Sequence, residues 1–137
     1  MRLLNNLENA IARSEKARPK IGGFPYLAEC LRQEGFTKNI WYLPSGDSFY
    51  FSKEESMVIP GKSLIKDVSK TPLFSDRELI TALRADQAGK TTFPEFLMNT
   101  WQSGVVKYEV NFIERYVIYY GSNNEEYREN YPTVEIN

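Results

Sequence analysis

A twelve-residue stretch that occurs twice is the feature that most constrains the fold. Residues 24–35 read FPYLAECLRQEG, and residues 93–104, which begin 69 positions later, read FPEFLMNTWQSG. Both begin with Phe-Pro and end with Gly, which suits a helix with Pro in its first turn and a left-handed residue after its last turn. Both continue into aromatic, alternating segments typical of β-strands. The pattern predicts one helix–strand unit used twice.

The segments around these stretches follow one order. Helical periodicity over residues 3–14 precedes the first stretch, and a second periodic segment, in which Ser75 and Glu78 form a capping-box pattern, precedes the other. Strands are predicted at residues 36–43, 48–52, 56–59, 106–112 and 116–120. Each unit has one apolar side to bury, and two such units can bury these sides together against one common sheet. We therefore predict an α+β fold, with a mainly antiparallel sheet of five to six strands and helix pairs on one face.

The chain of 137 residues has the length of a single domain. The predicted halves span residues 1–60 and 75–121, residues 61–74 connect them, and residues 122–137 form a C-terminal tail. The polar segment 121–130 is predicted to be a loop, and the final YPTVEIN either a short edge strand or a docked tail. Phe-Pro and Gly are common at helix ends, so the alternative is that the two units are similar by coincidence.

The absence of histidine limits the chemistry of this chain. Without imidazole, no Ser or Cys nucleophile can be activated in the usual way, and with Cys30 as the single cysteine a structural zinc site is not expected. The carboxylates are scattered, and no pair is spaced so that it must be close. We therefore assign no catalytic residue, metal or cofactor. Cys30 lies between Leu27 and Leu31 on an apolar helix face, which predicts a packed core thiol.

The charge balance indicates what the protein does not bind. With 17 basic and 18 acidic residues the net charge is −1, so a nucleic-acid partner is not expected. No apolar run reaches the length of a membrane span. The polar start, with Asn5 and Glu8, argues against a secretory signal, and the single cysteine fits a reducing compartment. We expect a cytoplasmic protein.

Two basic segments have the composition of anion sites. In RSEKARPK, Arg18 and Lys20 precede Gly22 and Gly23 at the predicted start of a helix, where amides and cations could hold an anion; the alternative is a solvated helix end. The segment AGKTT shares GKT with phosphate-binding loops but has Arg84 where that motif needs Gly. It predicts instead a turn in which Thr91 or Thr92 caps the next helix.

The aromatic residues of the strands form a second candidate site. If the two hairpins lie side by side, Trp41, Tyr50 and Tyr119 could share a face with Lys38 and Lys107. Such a surface would suit a small anionic or aromatic ligand, or a protein partner. The alternative is that these aromatics stabilise the sheet through cross-strand pairs.

The segments GGFPYLAECLRQEGFTKNIWYLPSGDSFYF and GKTTFPEFLMNTWQSGVVKYEVNF resemble the YbcV-like family. This is a family of bacterial and prophage proteins of unknown function, some of them labelled phage envelope proteins. The resemblance covers about residues 20–121, and its motifs are aromatic and structural. It implies no active-site residue.

Two functions follow as hypotheses. The first is a non-enzymatic binding or interaction protein of bacterial or prophage origin, using the aromatic strand face or a cleft between the halves; its oligomeric state stays open. The second is a small-molecule enzyme without His, in which Tyr, Lys and carboxylates line that cleft. An enclosed cleft with convergent polar groups would favour the enzyme, and a flat exposed aromatic patch would favour a partner.

Overall fold

The computed structural model describes residues 2–65 and 70–136. Its elements are α1 (Arg2–Ala17), α2 (Phe24–Gln33), β1 (Phe36–Tyr42), β2 (Ser48–Ser52), β3 (Ser56–Ile59), α3 (Asp76–Gln87), α4 (Phe93–Gln102), β4 (Val105–Asn111), β5 (Tyr116–Gly121) and β6 (Glu126–Asn130). The order helix–helix–strand–strand–strand therefore occurs twice. Of the predicted connection, residues 66–69 lie outside the described residues.

All six strands form one antiparallel sheet in the order β3-β2-β1-β4-β5-β6. The first strand of each half, β1 and β4, pair at its centre, so the strands around Trp41 and Val110 are neighbours. The predicted α+β fold and the repeated order of elements are confirmed.

The repeat extends to the register of the sheet. In the central ladder Ile40 pairs with Glu109, which lies at the repeat's own offset (109 − 40 = 69). The ladder of β1 with β2 shifts register between residues 36 and 38, and the ladder of β4 with β5 shifts between residues 105 and 107, the equivalent position. A pseudo-twofold axis thus passes through the Ile40–Glu109 pair.

The predicted helix ends are confirmed. Gly35 has φ +97° and Gly104 has φ +94°, a conformation that residues with a Cβ adopt only at a cost. At the start of α3, Ser75 accepts a hydrogen bond from the Glu78 amide, as predicted. The reciprocal capping box lies instead at α4, where Thr92 and Glu95 exchange bonds of 2.8 and 3.3 Å.

The core lies between the helices and one face of the sheet. The predicted inward residues of α4 are buried. Of the predicted apolar stripe of α1, Leu3, Leu7 and Ala10 are buried, whereas Leu4 and Ile11 are exposed. The main core side chains are Leu3, Leu7, Leu31, Phe36, Leu79, Phe96, Leu97, Trp101, Val105, Val110 and Phe112. Cys30 is fully buried, which confirms the packed thiol, and burial raises its pKa.

The C-terminal segment corrects one prediction. Residues 126–130, predicted to be part of a loop, form β6, which pairs with β5 along its length. The prediction was wrong because an edge strand needs only backbone hydrogen bonds and half-buried side chains, so a polar sequence can form one. Tyr131 and Ile136 pack against the core, so the end of the chain is a docked tail, one of the two predicted alternatives.

Within the described ranges, no helix combines the length and the apolar character needed to cross a bilayer.

Candidate functional site

A cleft of about 710 Å³ separates the two helix pairs above the centre of the sheet. Its first wall comes from α1, α2 and the loop between them, its second from α3, α4 and the turn between them, and its floor from the strands. The floor residues are Asn39, Trp41, Tyr50, Tyr108, Val110, Phe112, Val117 and Tyr119. Cavities of about 300–1,000 Å³ hold small molecules, so the space between the halves has the size of a ligand site.

The floor of the cleft carries a row of aromatic rings. Trp41 on β1 pairs with Tyr108 on β4, and Tyr108 pairs with Tyr119 on β5. Cross-strand partners face the same side of a sheet, so the three rings are neighbours. The ring centroids lie 6.4 Å apart for Trp41 and Tyr108, which are stacked, and 5.7 Å apart for Tyr108 and Tyr119. A flat apolar group entering the cleft would meet these rings.

The polar groups of the floor are neutral. Burial raises the pKa of the hydroxyls of Tyr50, Tyr108 and Tyr119, so all three keep their protons at neutral pH. The buried amide of Asn39 donates to the Phe49 carbonyl at 2.9 Å. Among the residues that the structure describes, the buried indole nitrogen of Trp41 has no hydrogen-bond acceptor.

One carboxylate projects into the cleft from the wall opposite α1. Asp86 lies in the last turn of α3, and the Thr91 hydroxyl donates to its Oδ1 at 3.3 Å. Burial raises the pKa of Asp86. No sequence motif marks Asp86 as a site residue. Its spacing from the buried Leu79 and Leu83, on the inward face of α3, is the signal that would have placed it toward the sheet.

The mouth of the cleft brings the predicted anion-binding residues to the aromatic ones. Arg18, Lys20, Gly22 and Gly23 line the same cleft as Trp41, although sequence spacing gave no reason to join the two sets. Gly22 turns the loop with φ +71°, and Arg18 Cδ lies 3.1 Å from the point where a Cβ on Gly23 would stand. The aliphatic stem of Arg18 therefore packs against the start of α2, and its charged end is at the mouth.

The two interhelical loops meet across the mouth. Ile21 rests against Gly89, whose φ is +74°; a Cβ on Gly89 would stand 2.9 Å from Ile21 Cγ1. AGKTT is thus the turn between α3 and α4, and the predicted cap is Thr92, whose side chain accepts from the Glu95 amide.

Lys38 and Lys107 were predicted on the same face as Tyr50 and Tyr119, and this was wrong. Tyr50 pairs with Asn39, so the pleat places Lys38 on the other face, where it pairs with Phe51. The same alternation places Lys107 opposite Tyr120 rather than beside Tyr119. The lysines therefore belong to the face of the sheet turned away from the cleft, which we call the outer face.

The outer face has its own aromatic residues, and cations of this chain cover them. Lys38 Nζ lies 4.5 Å from the Phe51 ring centre, and Lys107 Nζ lies 5.0 Å from that of Tyr120. Arg128 Cζ lies 3.8 Å from the Tyr116 ring centre. These contacts match the alternative in which aromatic residues stabilise the sheet.

Comparison with known proteins identifies a family and bacterial relatives that resemble this chain. The family described as "Protein of unknown function (DUF1398)" matches residues 13–130, a range that contains every residue lining the cleft. Uncharacterized proteins of Mycobacterium bovis and Mycobacterium tuberculosis are 40% identical to this chain over 132 residues, which are 96% of this chain and 80% of each relative. These descriptions assign no activity.

Proposed function

Because the chain belongs to the DUF1398 family of proteins of unknown function, we propose a function from the cleft itself. The protein is a non-enzymatic binding module that holds a small, flat, apolar ligand against the aromatic floor. The observation that carries this proposal is that a cleft of about 710 Å³ lies directly over the ring row of Trp41, Tyr108 and Tyr119.

Three properties of the cleft support ligand binding. The rings offer flat apolar area at little entropic cost, since each has only two side-chain torsions. The indole N–H of Trp41, which has no acceptor within residues 2–65 and 70–136, is a donor that a ligand acceptor could use after a small shift of the ring. At the mouth, the exposed Arg18 and Lys20 could hold an anionic group at the ligand's outer end.

The chemistry of the cleft supports binding over turnover. Of the groups that the enzyme alternative invoked, the tyrosine hydroxyls of the floor have raised pKa values and are poor bases at neutral pH, which leaves the carboxylate of Asp86 as the one candidate base that the described residues place beside the floor. Lys38 and Lys107, the lysines predicted beside the floor tyrosines, lie on the outer face, and Lys20, which lines the cleft, is exposed at its mouth. A binding module needs neither a base nor these lysines.

The test compares filling the cleft with an equal change on the outer face. Val117 and Ile118 are neighbours on β5, and Val117 is in the cleft floor while Ile118 is on the outer face. We expect isothermal titration calorimetry to detect 2-naphthol and 2-naphthoate binding, Val117→Phe to weaken both at least about tenfold, and Ile118→Phe to leave both unchanged. Failure of both probes to bind, or equal effects of the two substitutions, would contradict the proposal.

The mouth is tested with the same two probes. Arg18→Ala should weaken 2-naphthoate about three- to tenfold and leave the neutral 2-naphthol unchanged, since only the anion uses the guanidinium. An equal loss for both probes would mean that Arg18 contributes shape rather than charge.

We also propose that the protein is a cytoplasmic, YbcV-like protein of prophage origin. In support, the two relatives described above are bacterial proteins, and the reduced, buried Cys30 suits a reducing compartment. Genes for phage structural or regulatory proteins beside this gene, and recovery of the native protein in the cytoplasmic fraction, are the expected observations. A chromosomal setting without phage genes would contradict the prophage origin.

A further inference from the structure

The second wall of the cleft presents the carboxylate of Asp86. Asp86 is half-buried, and the Thr91 hydroxyl is 3.3 Å from its Oδ1. In the described parts of the chain Asp86 forms no ion pair. It also lies at the C-terminal end of α3, where the helix dipole disfavours negative charge. A cation beside it would relieve both costs.

The charged groups near Asp86 either pair with other residues or are exposed; Lys90, in the turn that follows α3, is exposed. On its own helix, Arg84 pairs with Glu129 of β6, and Gln87 donates to the same carboxylate at 3.2 Å. Across the cleft, the charged residues of the first wall are Glu15, Arg18 and Lys20, all exposed at the mouth. Burial raises the pKa of Asp86, as expected for a carboxylate that lacks a cationic partner.

Aromatic rings surround this carboxylate. Asp86 is close enough to Tyr108 and Tyr119 that its charge adds to burial in raising the pKa of both hydroxyls. Phe93 and Trp41 complete this end of the cleft and meet edge to face, with ring centroids 5.3 Å apart. Aromatic rings in the same cleft as a carboxylate are an arrangement that attracts organic cations.

The aromatic rings of the outer face already have cationic partners within the chain. There Lys38, Lys107 and Arg128 each lie over a ring of a neighbouring strand. Within the described residues, no such contact is made to the rings of the cleft floor. The cleft therefore contains rings of the same kind together with the carboxylate of Asp86, and a ligand could supply the cation.

We propose that the end of the cleft at Asp86 binds an ammonium group of the ligand, with Asp86 as its counter-ion and the rings of Tyr108 and Tyr119 as cation–π partners. This inference rests on the proposed function and adds the ligand's class to it. The ligand is an organic cation, a protonated or quaternary amine with an apolar body. An anionic group, if the ligand has one, would face Arg18 and Lys20.

The experiment uses three probes with one ring and different charge: benzyltrimethylammonium, benzyl alcohol and benzoate. Calorimetry on the full chain should show the cation binding at least about tenfold tighter than the alcohol. Asp86→Asn keeps the shape of the side chain, removes its charge, and should abolish this preference by weakening the cation at least about tenfold. Glu54→Gln, an equal charge change in the exposed turn after β2, is the matched control and should alter nothing.

The pH dependence gives a second measurement. The carboxylate must be ionised to attract the cation, and its pKa is raised in the free protein. Affinity for benzyltrimethylammonium should therefore increase as pH rises through the pKa of Asp86 and then level off. Benzyl alcohol should show no such change, and Asp86→Asn should remove it for the cation.

The outcomes separate the two proposals. If no probe binds, the proposed function fails and this inference fails with it. Suppose instead that benzyl alcohol or benzoate binds as tightly as the cation and that Val117→Phe weakens its binding. The proposed function then stands, and the proposed cation site is wrong. A cation preference that survives in Asp86→Asn would also overturn the assignment of Asp86.

Discussion

The two halves of the protein share a backbone plan and differ in what covers it. Gly35 and Gly104 have nearly the same φ, and both first strands shift register at the same position. A Cβ on Gly35, however, would meet no atom of the described residues within 4 Å, while a Cβ on Gly104 would stand 2.4 Å from the Cα of Phe74. The same turn is therefore open to solvent in one half and covered by the chain in the other.

The halves also differ at some of the positions that face the cleft. The position of Asp86 in α3 is held by Ala17 in α1, and that of Tyr108 in β4 by Asn39 in β1, each 69 residues earlier. The repeat thus provides a symmetric frame, and the residues that break the symmetry give the cleft its chemistry. Comparing equivalent positions separates the frame from the site.

The largest effect should come from Gly104→Ala. The substitution would force a Cβ into the backbone of Phe74, in a segment fixed by the Ser75 amide bonding to the Ser103 carbonyl at 2.8 Å, and would strain a positive φ. We expect a loss of roughly 2–4 kcal/mol in the free energy of unfolding, measured by urea denaturation.

Gly35→Ala is the matched comparison, since it strains the same φ without a clash. Its expected cost is about 1 kcal/mol. Equal losses for the two variants would show that the cover over Gly104 yields to a methyl group, and the difference between the halves would then lie elsewhere.

A smaller effect is expected at the start of α4. Thr92 accepts a hydrogen bond from the Glu95 amide, whereas the equivalent Gly23 provides no side-chain cap to α2. Thr92→Ala should cost about 1 kcal/mol in thermal or urea unfolding. Thr81→Ala, an exposed position within α3, should be neutral or slightly stabilising. A neutral Thr92→Ala would mean that α4 is held by packing alone.

The lysines of the outer face should show a still smaller difference. Lys107 Nζ lies 5.0 and 5.9 Å from the ring centres of Tyr120 and Tyr42, and the equivalent Lys38 lies over one ring, that of Phe51. Replacing either lysine by Met keeps the apolar stem, so we expect losses of about 0.5 kcal/mol, larger for Lys107. A larger loss for Lys38→Met would reverse this order.

Cysteine labelling should distinguish equivalent positions of α2 and α4 by their rates of reaction with a thiol reagent, without any change in stability. Cys30 is fully buried in α2, and its equivalent in α4, Asn99, is exposed. Native protein should resist a thiol reagent until denaturant is added, while Asn99→Cys should label rapidly under native conditions. Rapid labelling of native Cys30 would show that the first helix pair opens readily.

Local rules predicted much of this fold. The ends of α2 and α4 depend on Pro and Gly in short stretches, and the inward residues of α4 follow from helical spacing. Each of these features is determined by residues close together in the chain, so the sequence predicts it. The prediction that the strands of both halves share one sheet followed from the need of two half-buried units for a common sheet.

The misses depend on relations between distant segments. Lys38 was assigned to the wrong face because the side of a strand residue depends on register, and the register shift between residues 36 and 38 is invisible in the sequence. Strand β6 was missed because its partner β5, rather than its own composition, makes it a strand. Asp86 was missed because it becomes a candidate site residue only beside the rings of Tyr108 on β4 and Tyr119 on β5, which lie 22 and 33 positions later in the chain (108 − 86 = 22; 119 − 86 = 33).

The pairing of Ile40 with Glu109 also sets the order in which the molecule can fold. The hairpin of β1 and β2 closes over a few residues, whereas the central ladder joins residues 69 apart, and the longer closure costs about 2 kcal/mol more in chain entropy. Each half should therefore assemble from local contacts first, and docking of the halves should be the late, slow step. Since the cleft exists only after docking, its ligand stabilises the completed fold alone, and raised unfolding temperature with rising ligand concentration becomes a direct way to find that ligand.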